Sequence, residues 1–365
     1  MLRPNKESGG PDVSRRAALA AIGACAGSAI PMRAGSAPSA VWRVDVHHHF
    51  ASPAYAAFAA AHPEAGLPPA PPDTIARSLE DMDRGGTRLA VLSSFVPPIG
   101  GSVADRRGLA RVVNEFGAGA VRDHPGRFAL FAVLPFPDIE GCLSELDYGL
   151  DTLGAVGVSV YSEALGKYLG DDGLSPLLQA LDARRAVVFV HPHTDACCHN
   201  LIKEVPDSII EYGVSTARTI ASLIFSGAAD RYPNIKFIFS HGGGVAPFLV
   251  ERFLGGTAAE ITPGVTTRGQ GSAHLNQPKG GALAALRRFH YDTAQIANPV
   301  ALRALAAVAT PSQLLYGTDF WFRDSTETAQ GLDASGVFTQ TQLKAIARDN
   351  ALLLMPALAD HQRRS

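Results

Sequence analysis

Between Val41 and Leu354 the chain alternates eight times between a short run of β-branched and aromatic residues and a longer stretch with helical spacing of apolar residues. The runs are 41–46, 89–92, 129–134, 157–161, 186–190, 235–239, 289–292 and 313–316. Each is almost continuously hydrophobic, which implies burial on both faces, unlike the half-exposed strand of an antiparallel sheet. Strand then helix, repeated, calls for parallel pairing through crossover connections. Eight such units in about 320 residues predict a (β/α)8 TIM barrel. The alternative is an open doubly wound sheet, and no glycine-rich dinucleotide loop follows the first run to support it.

The intervening stretches carry the matching period. Ile75, Leu79 and Met82 follow a predicted N-cap at Asp73, and Ile139, Leu143, Leu146, Leu150 and Leu153 keep the same rhythm. Similar patterns occupy 104–122, 174–184, 215–230, 299–309 and 339–354. Two connections are longer than the rest, 193–214 after the fifth strand and 253–288 after the sixth. Loops of that length in a compact domain commonly serve as lids or subunit contacts.

Active sites of such barrels form at the C-terminal strand ends, so polar residues there are informative. The first run leads into His47-His48-His49. Residues i and i+2 of a strand share a side, so His47 and His49 can grip one metal ion together while His48 points away and reads as structural. The fifth run ends in Val190-His191-Pro192-His193, the sixth in Ser240-His241-Gly242-Gly243-Gly244, and the eighth in Gly317-Thr318-Asp319-Phe320. Alone, each has an ordinary explanation, a hydrogen-bonded core histidine or a helix-capping aspartate. Four strand ends together predict a shared metal centre, because a catalytic metal needs about three protein ligands and an open position.

These motifs also carry a resemblance. Asp45-x-His47-x-His49-Phe50, His191-Pro192, the His241 glycine turn followed by Pro247-Phe248 and Arg252, and Tyr316-Gly317-Thr318-Asp319-Phe320 resemble the amidohydrolase superfamily. The similar branch is that of aminocarboxymuconate-semialdehyde decarboxylase and 6-methylsalicylate decarboxylase. The likeness spans nearly all of 41–356 and includes Met82-Asp83-Arg84-Gly85-Gly86, His124-Pro125-Gly126-Arg127-Phe128 and Asn350-Ala351. It implies that His47, His49, His191 and Asp319 ligate one divalent metal, usually zinc and in some relatives manganese. It further implies that His241 stands beside the reacting water and that Asp319 relays protons as well as ligating. Arg252, eleven residues after His241, is implied to bind substrate carboxylate in the neighbouring subunit of a homodimer. Binuclear relatives carry a modified lysine at the end of the fourth strand; here that end reads Val160-Tyr161-Ser162-Glu163, and Lys167 comes later, so one metal is expected. The branch usually has Pro after the last aromatic of the eighth motif, whereas this chain has Trp321-Phe322-Arg323, which alters the pocket wall and makes Trp321 a candidate substrate contact. His193, in the loop beyond His191, is another; His199 lies farther along the same loop.

The first forty residues read as an address. Ser14-Arg15-Arg16 precedes a small-residue apolar run from Ala20 to Ile30 and then Pro, Gly, Ser and Ala, the pattern of a twin-arginine signal peptide. The run is too short for a membrane span. Ile22-Gly23-Ala24-Cys25 also resembles a lipoprotein cleavage box, giving a Cys25-anchored alternative. The barrel is then expected over 41–358, with a polar tail at 359–365. A net charge of -2 and no basic block beyond the N-terminus exclude a nucleic-acid footprint. Four cysteines do not make a disulfide framework, and adjacency of Cys197 and Cys198 disfavours a bridge between them.

Two reactions share this ligand set. One is non-oxidative decarboxylation of an aromatic or unsaturated carboxylate, with no organic cofactor; the other is hydrolysis of a lactone or amide, with Asp319 taking a proton from water and His241 stabilising the oxyanion. A scaffold protein that kept only the barrel would be expected to have lost a ligand, and none is missing.

Overall fold

In a computed structural model of the chain, residues 42–257, 276 and 278–363 are described; the expected signal segment and Cys25 lie outside them. Eight parallel strands follow one another around the sheet: β1 (Arg43–His49), β2 (Thr87–Ser93), β3 (Phe128–Val133), β4 (Gly157–Tyr161), β5 (Val187–His191), β6 (Lys236–Phe239), β7 (His290–Asp292) and β8 (Leu314–Leu315). Closure comes from β8 meeting β1, where Val46 N donates to the Tyr316 carbonyl at 3.0 Å and His49 N to the Phe320 carbonyl at 2.8 Å. This is the predicted (β/α)8 barrel.

Helices lie between the strands as the periodicity predicts, with instructive departures. The 339–354 stretch is helical throughout but passes through a π turn, Ala345–Asp349, between Gln340–Lys344 and Asn350–Leu354. The 215–230 stretch breaks at Gly227, giving helices Glu211–Phe225 and Ala228–Arg231. Asp73 does precede the helix Thr74–Gly85, but its backbone is left-handed and its side chain makes no capping bond. An additional helix, Pro53–Ala61, is too alanine-rich to show an apolar period, and a small hairpin, Glu163–Ala164 with Lys167–Tyr168, is too short to show one. Of the 253–288 connection, helical residues begin and end it, and 258–275 and 277 lie outside the described set. The expected polar tail begins within a helix, Leu358–Arg363.

The barrel interior is an apolar plug. Val44, Val46, Leu89, Val91, Ala129, Phe131, Val187, Phe189, Ile238 and Leu315 form one buried cluster, with Phe131 stacked on Phe189 at 5.6 Å. A larger cluster fills the space between strands and helices. The plug is the floor on which the polar strand ends rest, and Phe189 contacts the His47 ring at 4.9 Å.

Candidate metal centre

Strict alternation along β1 would put His47 and His49 on the opposite face from Val44 and Val46, so something must change the parity. It does: Asp45 pairs with Ala90 and His48 with Leu92, so β1 advances three residues while β2 advances two. This bulge brings Val44 and Val46 into the plug and then turns His47 and His49 inward as well. Fully buried Asp45 holds the bulge. Its Oδ1 accepts from His47 N (2.9 Å) and Thr318 N (3.1 Å), and its Oδ2 from Thr318 Oγ1 (2.6 Å) and His48 Nδ1 (2.9 Å). His48 is therefore structural, as expected, and stacks on Phe320 with ring centroids 4.5 Å apart.

Around this bulge the predicted ligands converge. One donor atom from each of His47, His49, His191 and Asp319 lies within 4.8 Å of the others, and all four side chains are buried. Asp319 Oδ1 stands 3.1 Å from His47 Nε2 and 3.0 Å from His49 Nε2. It nonetheless makes no properly directed hydrogen bond, and His191 Nε2 has none either.

The outer nitrogens explain why these atoms are acceptors. His47 Nδ1 donates to Asp292 Oδ2 at 2.7 Å, and His191 Nδ1 donates to the Pro192 carbonyl at 2.7 Å. A carboxylate or carbonyl can only accept, so in the neutral rings the proton sits on Nδ1 and each Nε2 turns a lone pair inward. His49 Nδ1 contacts Ser93 Oγ at 3.0 Å. Buried lone pairs aimed at one another without donors are what a cation would satisfy, and outer partners of this kind fix imidazole ligands in place. The residues fit a divalent metal.

Electrostatics agree. Burial lowers His49 to about 4 and takes His191 well below the ordinary histidine value, keeping both neutral at pH 7. Burial also works against a proton on His47, but Asp292 and Asp319 outweigh it and raise the ring to about 10 in the metal-free protein. Burial opposes charge on Asp319 too, yet the nearby His47 charge, followed by the hydrogen bond from His241, holds its carboxyl well below the usual range.

Asp319 divides its work between two oxygens. Oδ1 faces the metal ligands, while Oδ2 accepts from His241 Nε2 at 3.2 Å and from Gln295 Nε2. Backbones of Asp319 (φ 65°), His241 (φ 52°) and Gln295 (φ 56°) are all left-handed, a conformation that non-glycine residues hold only when their surroundings impose it. Asp292 imposes part of it by accepting from His241 N at 2.8 Å while also holding His47. Gly317 leaves the necessary room: a Cβ there would lie 2.9 Å from the Cβ atoms of both Asp292 and His47.

Above the ligands opens a cavity of about 680 Å³, lined by His191, His241, Asp319, Gln295, Phe95, Tyr161 and Tyr212 among others. His193 lines it too. Trp321 packs near His49 (centroids 6.0 Å) and donates its indole N–H to the Pro69 carbonyl at 3.2 Å, whereas its neighbours Phe322 and Arg323 reach the cavity wall. Arg252 is exposed on the helix Val250–Thr257 and is not among the residues lining the cavity of its own chain. Lys167 is exposed on the hairpin.

The loop after β5 is anchored by buried Asp195, which accepts from Tyr168 OH, Arg218 and Ser215 Oγ, each at 2.5 Å. One expectation fails here: Cys197 and Cys198 are joined in a disulfide. The tight turn in which Cys198 N donates to the Asp195 carbonyl at 2.8 Å brings their side chains together despite adjacency.

The sequence profile of the amidohydrolase family matches residues 44–355, nearly the whole described barrel. The chain belongs to the amidohydrolase family. Among relatives of this amidohydrolase is a decarboxylase of Aspergillus niger, yanB, 34% identical over 333 residues that cover 86% of this chain and 87% of the relative. The 6-methylsalicylic acid decarboxylase of Penicillium expansum is 34% identical over 295 residues, 76% of this chain and 84% of the relative. A solved dihydroxybenzoic acid decarboxylase from Polaromonas, with bound manganese and the inhibitor 2-nitroresorcinol, has the same fold. Its TM-score is 0.71 at 21% identity, covering 87% of the amidohydrolase and 97% of that chain.

Proposed function

We propose that this amidohydrolase is a metal-dependent, non-oxidative decarboxylase of an aromatic carboxylate of the 6-methylsalicylate kind. The observation that carries the reading is the doubly engaged Asp319. One oxygen belongs to the ligand cluster and the other accepts from His241, so a proton can be held beside a carboxylate bound at the metal. Relatives with 34% identity over most of their length are decarboxylases, which supports the same class here.

A divalent ion held by His47, His49, His191 and Asp319 would supply Lewis acidity toward the substrate carboxylate and a neighbouring hydroxyl oxygen. The chain's own residues do the rest. Asp319 and His241 share a proton that passes to the ring carbon bearing the carboxylate; the C–C bonding pair then returns to the ring and carbon dioxide leaves. Phe95 and Tyr161, stacked at 5.9 Å, give the cavity an apolar wall that suits an aromatic ring and excludes water. Three imidazoles and one carboxylate favour zinc, with manganese the alternative.

The reading extends to a homodimer in which Arg252 reaches the neighbouring cavity and pairs with substrate carboxylate, a task its planar fork suits. Arg252 is exposed and is not among the residues lining its own cavity, as such an arrangement requires. Metal-loaded protein should release carbon dioxide from substituted salicylates and no acid from a matching panel of lactones and amides. Acid release from the second panel, with none from the first, would move the assignment to hydrolysis at the same site.

A further inference from the structure

From the ligand His191 the cavity wall rises ring by ring. Phe95 lies 5.0 Å from His191, Tyr161 stacks on Phe95, and His193 tilts over Tyr161 at 4.6 Å. His193 Nε2 donates to the Glu163 carbonyl at 2.5 Å. Because a carbonyl oxygen only accepts, Nε2 carries the proton and Nδ1 of the neutral ring carries a lone pair. No described residue hydrogen-bonds that Nδ1.

Glu163 explains why the ring is held this way. Its side chain is 2% exposed. Oε1 accepts from Gly166 N, while Oε2 has no hydrogen-bond partner and stands 3.4 Å from His193 Nε2. Carbonyl and carboxylate of one residue thus face the same edge of the imidazole and turn the other edge away from the hairpin. A buried, unpartnered carboxylate oxygen is costly, so its placement beside a histidine of the same cavity wall calls for a role.

We propose that His193, clamped by Glu163, is a specificity-determining contact that accepts a hydrogen bond from a ring hydroxyl remote from the substrate carboxylate. Glu163 is the positioning residue of the pair. The contact rests on the decarboxylase reading for the placement of the carboxylate at the metal, and it favours aromatic acids with a second, distal hydroxyl over acids such as 6-methylsalicylate that lack one. Such an acceptor favours substrates that fill it over analogues that leave it unpaired.

The test is calorimetric titration of the metal-loaded full chain with 2-hydroxybenzoate and with its 4-hydroxy and 5-hydroxy derivatives, alongside carbon dioxide release from each. At least one derivative should bind roughly ten- to a hundredfold more tightly than the parent. His193→Phe keeps a ring against Tyr161 and removes Nδ1; it should weaken the preferred derivative about tenfold more than it weakens the parent, with metal content still one per chain. Both Glu163→Gln and Glu163→Ala leave the backbone carbonyl that holds Nε2, and Glu163→Ala, which removes the side-chain oxygens, should reduce the preference more than Glu163→Gln does. Equal wild-type affinity for all three acids, or equal weakening of all three by His193→Phe, overturns the contact. Preference in binding without any carbon dioxide would sink the decarboxylase reading and leave the contact standing; turnover without preference would sink the contact alone.

Discussion

Asp319 and His47 are where the chemistry is most sharply drawn, because each has two partners with opposite demands. Asp319→Asn keeps an oxygen for the ligand cluster but cannot shuttle a proton, so turnover should fall by at least about a hundredfold while metal affinity falls less. Equal losses in parallel metal and rate measurements would make Asp319 a ligand only. His47 must give up a proton before it can ligate, since its metal-free value is raised to about 10. Metal affinity should therefore climb by up to about tenfold per pH unit as pH rises toward about 10, with one proton released per ion. Titrations in buffers of different ionisation enthalpy would read that proton, and pH-independent uptake would contradict the assignment. The ligands themselves were legible because they are unusual residues at strand ends. Asp292, Ser93 and Gln295 were missed, although Asp292 ends its strand just as Asp319 follows the eighth and could have been found by the same rule. Gln295 lies three residues past a strand on a left-handed backbone, which no local pattern announces.

At the level of elements, the decisive feature is the bulge in β1. Alternation correctly placed His47 and His49 on one side, but it could not reveal that they share the interior with Val44 and Val46, because an inserted residue depends on the neighbouring strand's register. Asp45 pins that register by bonding β1 to the loop after β8. Asp45→Asn would set an amide N–H₂ against donors that now meet a carboxylate, at a cost of about 2–4 kcal/mol. Denaturant unfolding should show that loss together with weakened metal binding. Unchanged stability would mean that the barrel closes without Asp45. Helix periods were read well where apolar spacing is long and regular, as in 104–122, found as Val103–Asp123. They failed to mark the π turn at Ala345–Asp349 and the break at Gly227, which tertiary packing decides.

For the whole molecule, eight β-then-α units were enough to predict the closed barrel, since few other topologies bury eight doubly hydrophobic strands. Assembly and address are settled by surfaces and sequences outside that pattern. We propose twin-arginine export of the folded chain, motivated by Ser14-Arg15-Arg16 and the small-residue run after it. Replacing Arg15 and Arg16 by Lys should trap precursor in the cytoplasm; unchanged export would point to the general secretory route, and lipid at Cys25 to the anchored form. If Arg252 completes a neighbouring site, mixed dimers of Arg252→Ala and His191→Ala chains should regain part of the activity that neither has alone. A fully active monomer would contradict that arrangement.

The central claim is that four strand ends make one metal site on which an aromatic carboxylate loses carbon dioxide. Stepwise addition of zinc or manganese to chelator-stripped protein, with carbon dioxide release from 6-methylsalicylate followed at each step, tests it most directly. Activity should rise linearly and break at one ion per chain, with no rise in His191→Ala. Full activity in stripped protein, or a break at two ions per chain, would contradict it.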